Sequence, residues 1–203
     1  MDKALVAATI GLMILALVAA AVFTYYPLTL AVQPAGPKVV FDYGSNANQP
    51  DIYDEIGVSI GSNKTYASIT IHPTYQVTYY KNITLIKNTD TKAYNVYLVI
   101  NNSAGGLPAD SKVVLYIYKQ GATRNLAGWP AASLEPKTGT YVAYINLAAT
   151  SLDSPVQIGQ LAGGSTWEVD ILVYIPEGNY AVETYSQTFS MHIVYTPGSE
   201  TPP

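Results

Sequence analysis

Trp167-Glu168-Val169-Asp170-Ile171-Leu172-Val173-Tyr174-Ile175 decides the fold. Trp167, Val169, Ile171 and Val173 share one side of a period-two pattern, against Glu168, Asp170 and Leu172. That period is the mark of a strand with one face in a core. Nine further stretches read the same way: Val39–Phe41, Gly57–Ile60, Ser68–His72, Gln76–Lys87, Tyr94–Ile100, Val113–Tyr118, Tyr141–Leu147, Val156–Ile158 and Thr188–Tyr195 among them. They are rich in Val, Ile, Thr and Tyr. Turn clusters separate them, such as Asn101 to Gly106, Gly121 to Gly128 and Pro176-Glu177-Gly178-Asn179. No helix-period run of useful length follows residue 23. Many short strands with Gly- and Pro-rich turns predict an all-β sandwich or barrel.

The faces of these strands predict the core. Tyr141, Ala143, Ile145 and Leu147 share one face, and Phe189, Met191, Ile193 and Tyr195 share another. Val113 to Tyr118 is apolar on both sides, which predicts a central or covered strand.

Upstream, Ala4 to Phe23 is a charge-free apolar run behind the single lysine of Met1-Asp2-Lys3. We read residues 1–21 as a signal peptide, cut after Ala20 or Ala21, where small residues cluster. About 20 apolar residues also suffice to span a bilayer, so a retained anchor that holds a monomeric surface binding domain at the membrane is a second reading. A third is that Lys3-Ala4-Leu5 resembles the cleavage site of archaeal type IV pilins, whose hydrophobic helix is kept; Thr9 stands where many of those carry a glutamate.

Residues 22–37 form the next unit. Tyr26, Leu28, Leu30 and Val32 alternate with Tyr25, Pro27, Thr29 and Ala31, as in a half-buried strand. Pro27 suits the start of such a strand, and Gln33-Pro34-Ala35-Gly36-Pro37 ends it. A strand isolated by such a break can pair with another molecule. The sandwich domain is expected over 38–196, with a Pro-rich tail over 197–203.

Composition narrows the function. Charged residues are 12% of the 203, the formal net charge is −4, and there are 18 tyrosines and no cysteine. The acidic balance argues against nucleic acid as a partner. Without disulfides, an exported domain depends on packing, for which Tyr supplies a large ring with a wet hydroxyl. His72 and His192 both lie in strand patterns, outside any His-Glu-x-x-His run, and no Gly-x-Ser-x-Gly elbow occurs. We expect no catalysis, cofactor or metal. Asp42, Asp51, Asp54 and Glu55 gather carboxylates as a Ca²⁺ loop would, but a solvated polar loop is the simpler reading. Sequons mark Asn63, Asn82 and Asn101 for glycosylation; Asn63 and Asn101 fall in predicted turns and Asn82 inside a strand.

Two stretches resemble a known family. One is Thr84-Leu85-Ile86-Lys87-Asn88-Thr89-Asp90 with Val96-Tyr97-Leu98. The other is Ile158-Gly159-Gln160-Leu161-Ala162-Gly163-Gly164, the Trp167–Ile175 strand, and Tyr185 to Ile193. Together they resemble the TasA/camelysin family of biofilm fibre proteins, and more closely its archaeal relatives, the bundling pilins. The resemblance covers about residues 76–100 and 156–195; residues 101–154 carry no motif of it. It implies a secreted jelly-roll sandwich whose subunits polymerise when an N-terminal strand completes the sheet of the next copy. Tyr26, Leu28, Leu30 and Val32 occupy the donor's place. The expected partners are therefore copies of the chain itself, with the membrane met only during export and an extracellular destination. No metal-ligand motif supports transferring a protease activity.

Burying Leu28, Leu30 and Val32 would contribute roughly 1.5–3 kcal/mol each. Strand backbone bonds add about 0.5–1.5 kcal/mol apiece. One donor and one acceptor per subunit give a head-to-tail contact, which makes an open filament unless it closes into a ring.

Overall fold

In a computed structural model, the protein is described over residues 2–10, 30–31, 33, 35–101, 107–124, 141–147, 154–178, 186–198 and 200. The chain divides into two units, Met1–Ala35 and Gly36–Pro203. In the first, residues 3–10 are helical. Among the described residues no helix is long and apolar enough to cross a membrane.

The second unit is a sandwich of ten strands: β1 Val39–Tyr43, β2 Gly57–Ile60, β3 Tyr66–Ile71, β4 Gln76–Asn88, β5 Tyr94–Ile100, β6 Lys112–Lys119, β7 Tyr141–Asn146, β8 Pro155–Leu161, β9 Thr166–Ile175 and β10 Gln187–Pro197. All ten match the stretches expected from the alternation, two of them with identical bounds and none with an end shifted by more than three residues. One sheet runs β1-β4-β9-β6-β7 and the other β2-β3-β10-β5-β8, with every pair antiparallel. The pairs nest: β6 with β7, β5 with β8, β4 with β9, β3 with β10. Such nesting is one long hairpin rolled on itself, the jelly-roll form of the sandwich.

The core between the sheets is built from one face of each strand. Trp167, Val169, Ile171 and Val173 meet Phe189, Met191 and Ile193 there, with Phe41, Ile69, Ile86, Leu98, Leu115, Ile145 and Leu147. β6 is buried on both faces, as its sequence predicts, because Val114, Tyr116 and Tyr118 form a second cluster with Leu172 on the outer side of the sheet.

One expected core residue changes sides. Tyr141 packs in the outer cluster, not with Ile145 and Leu147. The β6–β7 register pairs Ile117 with Ala143 but Tyr118 with Tyr141, so Val142 is an extra residue. A bulge of this kind inverts the alternation beyond it. Tyr141 thereby joins Tyr116 and Tyr144 at ring-centroid distances of 6.3 and 5.7 Å.

Candidate assembly site

Of the four residues read as a donor face, Tyr26, Leu28 and Val32 lie outside the described residues. Leu30 is described; it is 81% exposed and belongs to no strand. The boundary between the two units falls between Ala35 and Gly36, inside the Gln33–Pro37 break.

The start of the sandwich is pinned by aromatic side chains. The Lys38 backbone N–H donates to the Tyr195 hydroxyl at 2.8 Å. The Tyr195 ring meets Tyr94 edge-on at 5.2 Å, and Tyr94 donates its hydroxyl proton to Asp90 at 2.7 Å. That hydrogen bond holds the Asp90 carboxyl below its usual range.

Two outer edges are partly blocked by local bonds. On β1, Phe41 donates its N–H to the Lys64 carbonyl at 2.7 Å, and Tyr43 donates to the Asp42 carboxylate at 2.9 Å. On β2, the Val58 N–H donates to the Asn48 side chain at 2.9 Å. Occupied edge donors discourage a further strand.

On the side away from β9, the thirteen-residue β4 meets two successive neighbours. β1 pairs with Thr84–Asn88 only. The turn after β1 takes over next: Gly44 donates to Ile83, and Asn46 to the Asn82 and Lys81 carbonyls. From Tyr80 back to Gln76, β4 pairs with β9 alone among the described strands. Five large apolar side chains are exposed on the described sandwich: Tyr144 on β7, Val77 on β4, Tyr43 at the end of β1, and Ile52 and Tyr53 in the turn before β2. That turn is fastened nearby, because Asp51 accepts the His72 backbone N–H at 2.8 Å and lies 3.3 Å from His72 Nδ1.

A bulge divides β4 between Tyr80 and Thr84. The register steps from Tyr80↔Ile171 to Thr84↔Val169, and Asn82 takes φ +46°. Asp170 plugs the bulge by accepting the Asn82 N–H at 2.7 Å. It also accepts the Tyr79 hydroxyl and is clasped by Arg124 at 2.8 and 3.0 Å. Arg124 bonds Glu168 at 2.6 Å and the Ala122 carbonyl at 2.6 Å, and lies 4.4 Å over the Tyr118 ring. All three charged side chains are buried. Burial disfavours the Arg124 charge, but Asp170 and then Glu168 outweigh it and raise its pKa. Burial first, and Asp170 second, raise the Tyr79 phenol. The sequence showed Glu168 and Asp170 opposite the core face; it held no local sign of their partner, because Arg124 sits within a Gly-rich turn.

The four carboxylates considered for Ca²⁺ have separate partners or places. Asp42 bonds Lys87 at 2.6 Å, Asp51 turns inward to His72, and Asp54 and Glu55 sit in the exposed turn. No group of three or more His, Asp or Glu is placed to hold a metal among the described residues.

The sequons differ in setting. Asn63 is exposed in the β2–β3 turn, where its side-chain oxygen accepts the Thr65 N–H at 3.2 Å. Asn82 sits in the bulge and donates to Ser45 at 3.2 Å, while Thr84 is fully buried and bonds the Asp42 carbonyl. Asn101 is half-buried, and its N–H donates to Ser190 at 2.8 Å.

No protein-family model matches the chain, and no curated protein matches it.

Proposed function

We propose that this chain is the structural subunit of an extracellular pilus or biofilm fibre, joined head to tail by Tyr25–Val32. The observation that carries the reading is the division of the chain inside the Gln33–Pro37 break, which parts a rolled sandwich from the stretch whose sequence alternates from Tyr25 to Val32. An alternating strand needs a sheet, and the break uncouples it from β1. The motif-level resemblance to bundling pilins leads to the same role. In this reading the leader directs export and no cofactor or catalytic group takes part. The second reading, a type IV-like pilin that keeps its helix, draws on the helix over 3–10, which begins beside the Lys3-Ala4 bond.

Deleting Tyr25–Val32 from the exported chain tests the proposal. The truncated chain should fold and stay monomeric by electron microscopy and light scattering. A free Tyr25–Gln33 peptide should raise its melting temperature, since a ligand of the folded state alone stabilises it. Normal filaments from the truncated chain would transfer the joint to the helix or to lateral contacts. The mature N-terminus separates the two readings further: a start near Val22 supports the donor strand, a start at Leu5 the retained helix. Exposed Asn63 is the proposed glycan site, and an unshifted peptide mass from native filaments would remove it.

A further inference from the structure

We infer that Tyr144 is a site of one-electron oxidation, and that the oxidised ring couples with Tyr144 of a second copy. The inference does not depend on how subunits join. It adds a covalent chemistry that the donor-strand reading does not contain.

The β6–β7 register brings the rings together. Tyr144 lies opposite Tyr116, and Tyr141 opposite Tyr118. The extra residue Val142 turns Tyr141 to the outer side of the sheet, where Tyr116 and Tyr118 are packed. Tyr144 therefore stands 6.4 Å from Tyr116 and 5.7 Å from Tyr141 between ring centroids. Tyr116 stands 6.3 Å from both Tyr118 and Tyr141. These are the separations of rings in direct contact, so four tyrosines form one connected group.

Ring geometry, charge and burial give the group a direction. The planes of Tyr116 and Tyr144 are inclined by 34°, which lets their π systems share an electron hole. A shared charge lies lower in energy than one confined to a single ring. Towards Tyr118 the hole is opposed, because the Arg124 guanidinium already sits 4.4 Å over that ring and two positive charges repel. Tyr116 and Tyr118 are buried, so neither can pass its phenolic proton to bulk water. Tyr144 is 42% exposed; there the proton leaves and the hole settles as a neutral tyrosyl. Tyr43 and Tyr53 are more exposed, at 49% and 51%, but no described ring lies against either. Exposure and ring contact coincide at Tyr144.

The coupling balances with a peroxide-fed one-electron oxidant. Each of two copies loses one electron and one phenolic proton from Tyr144. The two electrons and two protons reduce one hydrogen peroxide to two waters. The two tyrosyls then join through a carbon ortho to each oxygen, and the hydrogen displaced from each ortho carbon returns to its oxygen, restoring both phenols. Coupling inside one copy is disfavoured. Tyr141 stands at 82° to Tyr144, so the π lobes that would form the bond are nearly perpendicular, and buried Tyr116 keeps its proton.

Treating the full-length chain with a haem peroxidase and hydrogen peroxide tests this, with denaturing gels and mass spectrometry of the linked peptides as readouts. The expected product is a covalent dimer, stable to reductant, whose link joins two Tyr144 peptides. Tyr144→Phe should remove most of that dimer, and Tyr43→Phe and Tyr53→Phe should leave it. Tyr116→Phe keeps a ring in the packing but one that is far harder to oxidise; with its melting temperature checked, it should slow the coupling. Links mapped to other tyrosines, with the dimer undiminished in Tyr144→Phe, would overturn the site. A Tyr141–Tyr144 link within a monomer would overturn the coupling between copies. An unchanged rate in Tyr116→Phe would show that exposure alone selects Tyr144 and overturn the part given to the ring group. A native chain that forms no dityrosine would overturn the inference outright.

Discussion

The side-chain amide of Asn88 donates to the carbonyl of Leu161 at 3.2 Å, across 73 residues of chain. The same nitrogen reaches the Ala162 carbonyl at 3.1 Å and the Lys92 carbonyl at 2.7 Å, while its oxygen accepts the Asp90 N–H at 3.0 Å. One buried amide thus ties the end of β4, the β4–β5 turn and the β8–β9 turn together.

Replacing Asn88 by Ala should therefore cost about 2–4 kcal/mol, since it orphans several backbone groups at once. Asn88→Asp should cost more at pH 7, because a carboxylate would face three carbonyl oxygens. Its deficit should narrow in acid, where the protonated group again offers a donor. Urea denaturation at pH 7 and pH 4 measures both; equal deficits at the two pH values would contradict this account.

Gly163 should tolerate Ala worse than its neighbour Gly164. A Cβ on Gly163 would stand 2.1 Å from the Thr91 carbonyl oxygen, which is backbone and cannot swing aside. Gly164 has open space, and its φ of +68° makes Ala there a matter of about 1–2 kcal/mol of strain. Melting temperatures of the two variants should rank accordingly.

Truncating Arg124 to Leu should destabilise the sandwich by about 3–5 kcal/mol, because Glu168 and Asp170 would stay buried without their cation. Adding Glu168→Gln and Asp170→Asn to that variant should recover part of the loss. Thermal unfolding of the single and triple variants decides it; a triple variant no better than the single one would assign the damage to packing over Tyr118.

The Asp42–Lys87 pair sets a pH window. The hydrogen bond from Lys87 lowers the Asp42 pKa, with burial opposing it and Tyr43 assisting. A folded-state pKa below the ordinary 3.8 means that the contribution is present above that value and fades as pH falls through the folded one. Both side chains are about a third exposed, so the pair is worth at most about 1 kcal/mol. The stability gap between the native chain and Lys87→Met should be constant above pH 5 and close below pH 4. A gap unchanged at pH 2.5 would assign it to packing of the lysine stem.

Much of this architecture was legible because burial in a two-layer sandwich writes itself into the chain at period two. Trp167 to Val173 and Phe189 to Ile193 were assigned to the core from that pattern alone. Tyr141 was not, because one extra residue, Val142, inverts the pattern and nothing in Tyr141-Val142-Ala143 marks it. The Arg124 clasp was hidden for a different reason: its three charges come from a turn and from β9, and only the rolled sheet brings them together. That β4 outruns β1 by eight residues was also invisible, since only the pairing shows where β1 stops.

The nesting of strand pairs has a kinetic consequence. β6 and β7 can meet early, but β4 must wait for β9, and β3 for β10. At a synthesis rate of about 5–20 residues per second, roughly 5–20 s separate the emergence of β4 from that of its partner. Pairings this distant along the chain also make for slow folding. For that interval the apolar faces of β1 to β4 lack the strands that will cover them, so the chain stays unrolled until β9 and β10 have emerged.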